Sequence, residues 1–130
     1  MATNSEQLNR LYVEYELDIQ RDVFTHQHYK IITRSGIDKI QGKERIKINY
    51  EVIKCEPNFA VVKATAEKQD ATIQTFGSAL KGDYKSGNCN TWYVMEMAEK
   101  RAMSRAVLKL TGFYELGVFG EDESEDFKRK

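Results

Sequence analysis

Basic side chains recur at helical spacing in one stretch of the chain, and their type favours phosphate binding over acid–base chemistry. Arg101, Arg105 and Lys109 lie four residues apart, so they form a row on one side of a helix, here called the basic ridge, with Lys100 slightly off it. The acids of this stretch lie toward its N-terminal half, where a helix dipole favours them. A solvated helix face explains the same pattern equally well.

Patterns typical of catalysis or metal binding are missing from the sequence. It has no glycine-rich phosphate loop, no HExxH, no CxxC and no G-x-S-x-G motif. His26 and His28 could ligate a metal from one strand, but no third ligand has suitable spacing, so a turn or surface position is favoured. The carboxylates are scattered and do not form a magnesium cluster. We therefore expect no enzyme activity, no metal and no cofactor.

A second set of residues combines bases with aromatic rings, the combination that holds single-stranded nucleic acid. Core or rim packing is the ordinary alternative for most of the rings, and we expect Tyr50 to point inward. The set comprises Tyr29, Lys30 and Arg34 before a short helix, Lys47 and Lys63 on predicted strands, and Tyr84, Lys85 and Trp92 in and after a polar loop.

The basic ridge requires a long helix, which we predict over residues 90–111. Asn90 is a suitable N-cap and Gly112 a suitable stop, and no Pro or Gly lies between them. Ala98, Ala102 and Ala106 follow each other at four-residue intervals beside the ridge. Small residues at that spacing allow close contact, so we expect the helix to lie flat on a sheet.

Three strands joined by tight turns precede this helix. Residues 46–55 and 59–67 alternate between apolar and polar side chains, and residues 71–80 do so more weakly. Gly77 in the third strand suggests a bulge or a bend. The short turns predict an antiparallel meander, one face of which is free to meet water or a ligand.

The segments before the meander carry weaker patterns. Apolar residues at helical spacing predict a helix over residues 5–16, and β-prone residues at 23–25 and 29–33 predict a hairpin or an irregular extended segment. A compact helix then begins at Thr33 or Ser35 and ends at Gly42. The predicted fold class is α+β: an antiparallel meander of three or more strands with a long C-terminal helix and a short helix on one face.

Length and composition fit one small domain. The 130 residues carry no net charge, and we assign residues 1–120 to a single α+β domain. Residues 121–130 hold five acids and three bases, and we expect this tail to be disordered. The polar N-terminus predicts no signal peptide, and no apolar run could cross a membrane. Cys55 and Cys89 indicate reduced thiols in the cytoplasm, with a disulfide as the less favoured alternative.

Three segments together resemble a known group of proteins. They read YKIITRSGIDKI, IKINYEVIKC and NTWYVMEMAEKRAMSRAVLKLTG. In element order and in the pattern of the last helix, the chain is similar to phage and prophage single-strand annealing proteins of the Rad fifty-two superfamily, with its ERF and Sak relatives. The resemblance implies ATP-independent binding of single-stranded DNA in a positively charged groove on an oligomer. By the matched segments, Lys100, Arg101, Arg105, Lys30 and Arg34 would contact the DNA.

The sequence therefore predicts a non-catalytic domain that binds single-stranded nucleic acid as a homo-oligomer, with DNA favoured and RNA as the open alternative. It would promote strand annealing in phage-type recombination. The main alternative is a protein–protein assembly module of a phage or mobile element, and an enzyme of unrecognised type is the second alternative. The predicted contact residues are Lys30, Arg34, Lys47, Lys63, Lys100, Arg101, Arg105 and Lys109.

Overall fold

The chain forms an α+β fold in which one long helix contacts two three-stranded sheets. The computed structural model describes residues 3–26, 29–82, 87–89 and 93–121. The elements are α1 (Asn4–Glu14), β1 (Val23–His26), β2 (Tyr29–Ile32), α2 (Arg34–Glu44), β3 (Lys47–Glu56), β4 (Phe59–Lys68), β5 (Ala71–Leu80), α3 (Val94–Thr111), a 3-10 turn (Tyr114–Leu116) and β6 (Val118–Gly120).

The predicted meander is confirmed. Strands β3, β4 and β5 pair antiparallel in that order, and β5 occupies the predicted residues, while β3 is shifted by one. The pairing of β4 with β5 is continuous from Phe59↔Leu80 to Lys68↔Ala71, so of the bulge or bend suggested at Gly77 the bulge is absent. The register instead shifts in β3, between Val52 and Lys54.

The alanine row seats α3 on β4 and β5, as predicted. Ala98, Ala102 and Ala106 are fully buried. Gly77 explains how close the contact is, because a Cβ placed there would lie 2.1 Å from the Ala98 carbonyl oxygen and 2.5 Å from the Ala102 nitrogen. Thr75 adds a hydrogen bond, its hydroxyl donating to the Ala102 carbonyl at 2.7 Å. A glycine is therefore needed in this strand for contact with the helix backbone.

The opposite side of α3 packs on a second sheet, which the sequence did not predict. Strands β1 and β2 form the expected hairpin, and β6 joins β2 in parallel. A Cβ at Gly120 of β6 would lie 2.8 Å from the Cβ of Ser104 on α3 and 2.9 Å from Ile37 Cδ1 on α2. Small residues therefore let α3 lie close to β5 on one side and to β6 on the other.

Helix ends differ in part from the prediction. Thr33 caps α2, its hydroxyl accepting from the Gly36 N–H at 3.2 Å. The helix continues past Gly42 and ends at Arg45, which takes the left-handed conformation with φ of 54°. Gly112 ends α3 as predicted, with φ of 89°. The first described residues of α3 are at Val94, and the predicted cap Asn90 lies outside the described residues.

The N-terminal helix is anchored by aromatic rings. Thr3 caps α1 by accepting from the Glu6 N–H at 3.1 Å. Tyr12 stacks on Phe113, with ring centroids 6.1 Å apart, and Tyr15 also contacts Phe113 at 5.8 Å. Phe113 follows directly after the end of α3 and is fully buried. Thus α1 covers the C-terminal end of the central helix.

Glu121 belongs to the folded structure, which corrects the predicted start of the disordered tail. Its N–H donates to the Ile32 carbonyl at 2.9 Å and so extends the pairing of β6 with β2. Its carboxylate accepts from the Arg34 N–H at 3.1 Å, at the first turn of α2. The remainder of the predicted tail, residues 122–130, lies outside the described residues.

The buried carboxylate of Asp22 joins the hairpin to α2. It accepts from the Lys39 ammonium at 2.6 Å, from the Asp18 N–H at 2.9 Å and from the Ser35 hydroxyl at 3.2 Å. Burial alone would raise the pKa of this carboxyl, but the hydrogen bonds from these partners outweigh it and hold the pKa below its usual value. The ionised form is therefore the one that the fold stabilises.

Replacing Gly77 with alanine should destabilise the protein, because the new methyl group would push against the α3 backbone. We expect a loss of about 1–3 kcal/mol in the free energy of unfolding, measured by urea denaturation. Gly42→Ala is the matched control, since a Cβ there meets nothing within 4 Å. The control should stabilise the exposed helix position by about 0.5–1 kcal/mol. Equal effects of the two substitutions would contradict the close contact.

Acid should weaken the fold partly through Asp22. The pKa of Asp22 in the folded protein lies below the unfolded value of about 3.9. Its contribution to the free energy of unfolding is therefore complete at pH values above the unfolded pKa and is lost as the pH falls through the folded pKa. Asp22→Asn should cost about 1–3 kcal/mol near neutral pH. The variant should also show a shallower fall in melting temperature below about pH 4 than the wild type. Parallel melting curves across that range would exclude this role.

Candidate nucleic-acid interface

Arg101, the first residue of the predicted ridge, is buried and bound to backbone rather than available to a phosphate. Its side chain is only 4% exposed. One terminal nitrogen donates to the Ser78 carbonyl at 2.8 Å, and the other donates to the Asn88 carbonyl at 2.7 Å. The guanidinium therefore ties α3 to β5 and to the loop that follows it. This position corrects the expectation of an exposed basic ridge.

Arg105 repeats this contact one helical turn later. Its guanidinium donates to the Phe76 carbonyl at 3.0 Å, two residues along β5 from the carbonyl that Arg101 binds. Alternate carbonyls of an edge strand point outward, so two arginines spaced by one turn can reach them in succession. The four-residue spacing that predicted a phosphate-binding row instead serves to hold the edge of β5.

The other two bases on α3 are placed differently. Lys109 is exposed, and its ammonium lies 5.1 Å from the centre of the Tyr114 ring, a cation–π contact. Lys100 is half-buried. Tyr114 in turn contacts Phe119 edge-on at 5.6 Å, and Phe119 contacts Tyr29 at 5.7 Å. These rings are partly buried against each other, which limits the ring faces left for a base.

Lys30 and Arg34 lie in the hairpin and at the start of α2. Lys30 is exposed, and its ammonium is 3.2 Å from the Thr25 hydroxyl. Arg34 is partly buried, and its Nε lies 3.3 Å from the Asp38 carboxylate. Burial raises the pKa of Tyr50 on β3, the charge of Glu99 adds to this, and the charge of Arg34 opposes it. Arg34 is thus near the side of the meander that faces α3.

Lys47 and Lys63 lie on the opposite side of the meander, so the sheet separates them from α3. No described helix or strand packs on this side, here called the open face. It carries the outward side chains of the three strands: Lys47, Asn49, Glu51, Lys54 and Glu56 of β3; Phe59, Val61, Lys63, Thr65 and Glu67 of β4; and Thr72, Gln74, Phe76, Ser78 and Leu80 of β5.

An exposed aromatic ring lies in the middle of the open face. Phe76 is 50% exposed, and it stands directly across the strand pair from Lys63. Lys63 pairs on its other side with Glu51, their charged atoms 3.7 Å apart. Phe76 was not among the predicted contact residues, although the alternation of β5 places it on the face opposite to the buried Thr75 and Gly77. The signal in the sequence was an apolar residue at a position where the alternation of the strand predicts a polar side chain.

One end of the open face gathers further bases around Lys47. A shallow depression of about 470 Å³ lies there, lined by Glu44, Arg45, Lys47, Glu67, Lys68 and Gln69. Three of these residues are basic and two are acidic. Across the whole open face, Lys47, Lys54 and Lys63 are balanced by three glutamates. The face is therefore mixed in charge rather than strongly positive.

Several predicted features lie outside the described residues. These are His28, Tyr84, Lys85 and Trp92, and the side chain of His26 is likewise not described. Among the described residues, no three His, Cys, Asp or Glu side chains are grouped as metal ligands would be. Cys55 and Cys89 are both free thiols, the first exposed and the second buried. None of the helices in the described part is long and apolar enough to cross a membrane.

No family model, curated protein or solved structure matches this chain.

Removing the Arg101 side chain should destabilise the fold, because two carbonyls of the β5 edge and its loop would lose a charged donor. We expect Arg101→Ala to lower the free energy of unfolding by about 1.5–3 kcal/mol, measured by urea denaturation. Arg10→Ala, an exposed arginine on α1, is the matched control and should change it by less than about 0.5 kcal/mol. An effect of Arg101→Ala as small as that of Arg10→Ala would contradict the role of Arg101 in holding the β5 edge.

Proposed function

We propose that this domain is a non-catalytic protein that binds single-stranded DNA on the open face of its β3–β4–β5 sheet. The observation that carries the proposal is the half-exposed Phe76 directly across from Lys63, on a sheet face that no described element covers. A base stacks on an aromatic ring, and a lysine beside the ring meets the adjoining phosphate. This arrangement supports two of the predicted contact residues, Lys47 and Lys63.

The surface suits a strand bound mainly by stacking and hydrogen bonds. Asn49, Thr65 and Gln74 form one row across the three strands, and each carries a polar side chain on the open face. Such groups can bond to base edges or to sugar and phosphate oxygens. Because glutamates balance the lysines, phosphate contacts contribute less than in a strongly basic protein. Binding should consequently be modest and only weakly dependent on sequence.

The biological setting forms part of the same proposal. The resemblance to annealing proteins supports pairing of complementary strands during phage-type recombination, and the two free thiols are consistent with a reducing cytoplasm. Annealing requires the pairing edges of the bases to stay accessible, so the polar row would hold sugar and phosphate oxygens while Phe76 stacks on the face of a base. An open sheet face, unlike a closed channel, leaves one side of the strand uncovered. Mixing two labelled complementary oligonucleotides with the protein tests this step directly.

Phe76→Ala should weaken the binding of a fluorescently labelled single-stranded oligonucleotide, measured by anisotropy at low salt. The expected loss is about 1–3 kcal/mol, the contribution of one base–ring stack. Lys63→Ala should instead lower the salt dependence of binding, by about 0.7 in the logarithmic slope for one phosphate contact. Since the open face has three lysines, the wild-type slope should not exceed about 2 in magnitude.

Two controls locate the surface. Arg10→Ala removes a charge from α1, which is not part of the open face, and should leave affinity unchanged. The pair Lys30→Ala and Lys109→Ala tests the residues predicted outside the open face. If that pair weakens binding while Phe76→Ala does not, the strand lies along the hairpin and α3 instead. Absence of any binding by the wild type at low salt would refute the proposed function.

A further inference from the structure

The two edge strands of the meander, β5 and β3, differ in how far other described residues cover them. The β5 edge is covered: Arg105 and Arg101 bind its Phe76 and Ser78 carbonyls, and Leu80 exchanges hydrogen bonds with Asn88, at 2.7 Å from its N–H and 2.9 Å to its carbonyl. In the described residues β3 has no strand beyond it. It is exposed along nearly its whole length.

The uncovered edge is apolar as well as open. Tyr50 is 42% exposed and Val52 is 56% exposed, both on the side of the sheet where α3 packs mainly on β4 and β5 and only slightly on β3. Exposed edges with apolar side chains are sites where a further strand pairs. Proteins usually protect such edges with charges, bulges or covering elements. Here covering groups protect β5, whereas β3 has charged side chains only on the open face and a bulge only in its far half, after Val52.

The direction of the backbone groups on β3 follows from the hydrogen bonds on β5. The Phe76 carbonyl points away from β4, so Phe76 and its partner Lys63 form a pair without mutual hydrogen bonds. The backbone N–H and carbonyl of Lys63 therefore point toward β3. Lys63 pairs with Glu51, which therefore points its backbone groups back toward β4. Groups alternate along a strand, so Ile48 and Tyr50 present their N–H and carbonyl groups to the free edge. Asn49, between them, does not.

The side chains of β3 complement a second copy of themselves in one register. If two β3 strands run antiparallel about a two-fold axis at Asn49, each Lys47 stands opposite a Glu51 of the second copy. Ile48 then stands opposite Tyr50, so apolar residues meet on one face and opposite charges meet on the other. Shifting the axis by two residues to Glu51 would place two glutamates against each other. Charge therefore favours the register centred on Asn49 over the one centred on Glu51, and it is the Asn49 register that pairs Lys47 with Glu51.

We propose that β3 pairs antiparallel with β3 of a second copy of this chain, centred on Asn49, to form a continuous six-stranded sheet. Ile48 and Tyr50 of each copy supply the backbone hydrogen bonds, since their groups face the edge. Lys47 and Glu51 supply the charge pairs that fix the register. The pairing runs from Lys47 to Glu51, and the bulge after Val52 ends it by turning the strand away.

The geometry of this pairing places both open faces on one side. Opposite residues of an antiparallel pair point to the same face, and the two-fold axis is perpendicular to the sheet. The two sets of Lys47, Lys63 and Phe76 would thus lie on one surface. Any role of this shared surface in binding nucleic acid rests on the proposed function, whereas the pairing of the two β3 strands does not. The contact is short, so the dimer should be reversible and concentration-dependent.

Disulfide trapping tests the register without nucleic acid. Asn49 forms a pair without mutual hydrogen bonds, in which the Cα atoms approach to about 4.5 Å, within the range that a disulfide spans. In a Cys55→Ser background, Asn49→Cys should form a covalent dimer on mild oxidation. Gln74→Cys is the matched control, because Gln74 is exposed in the same cross-strand row but on β5. It should remain monomeric.

Other outcomes overturn the proposal. If Asn49→Cys forms a dimer no faster than Gln74→Cys, β3 does not pair. If Glu51→Cys forms the dimer faster than Asn49→Cys, the register is wrong. These results leave the nucleic-acid proposal untouched, because binding by the Phe76→Ala series is measured separately. A failed binding assay likewise leaves the cross-linking result standing.

Charge reversal gives a second, non-covalent test by sedimentation equilibrium. Lys47→Glu alone places like charges opposite each other twice in the dimer, and Glu51→Lys alone does the same. Each should raise the dimer dissociation constant by about tenfold. The double variant restores opposite charges in the same register and should recover wild-type dimerisation. A double variant as weak as the single variants would contradict the pairing, provided that circular dichroism shows all of them folded.

Discussion

The approach of two glycines to α3 is the constraint on which the rest of this structure depends. Gly77 brings β5 against the backbone at Ala98 and Ala102, and Gly120 brings β6 against Ser104. A methyl group at either position would collide with atoms of the central layer. Because α3 is held this closely on both sides, its flanking side chains have little freedom. They can reach only the groups that the neighbouring strands present to them.

This constraint decides what the basic residues can do. With α3 seated over β4 and β5, Arg101 and Arg105 reach the carbonyls of the β5 edge and cover it. Among the described residues, the same seating leaves β3 with only slight contact to α3 and leaves the far side of the sheet open. One packing choice therefore produces a protected edge, an unprotected edge and an uncovered face. The proposed binding surface and the proposed dimer contact are both consequences of where the helix lies.

The sequence predicted the local elements well because their signals are local. Alternation located the three strands of the meander, and the alanine spacing identified the face of α3 that packs. It could not distinguish a phosphate-binding arginine from one that binds a strand edge, since both appear at the same helical interval. The pairing of β6 with β2 was also out of reach, because three residues carry too little pattern to identify a strand. The glycine at position 77 was noticed but misread, since close approach and a bulge leave the same mark in a sequence.

The placement of Glu121 has a consequence for how the chain acquires its structure during synthesis. The meander and α3 are assembled from neighbouring segments and can form as they leave the ribosome. The hairpin β1–β2 emerges early, but its parallel partner β6 and the bond from Glu121 to Ile32 come from the far end of the described chain. Contacts between distant segments are slow to form because a long loop must close first. Completion of the second sheet therefore requires β6 to have been translated, and until then the edge of β2 lacks its parallel neighbour.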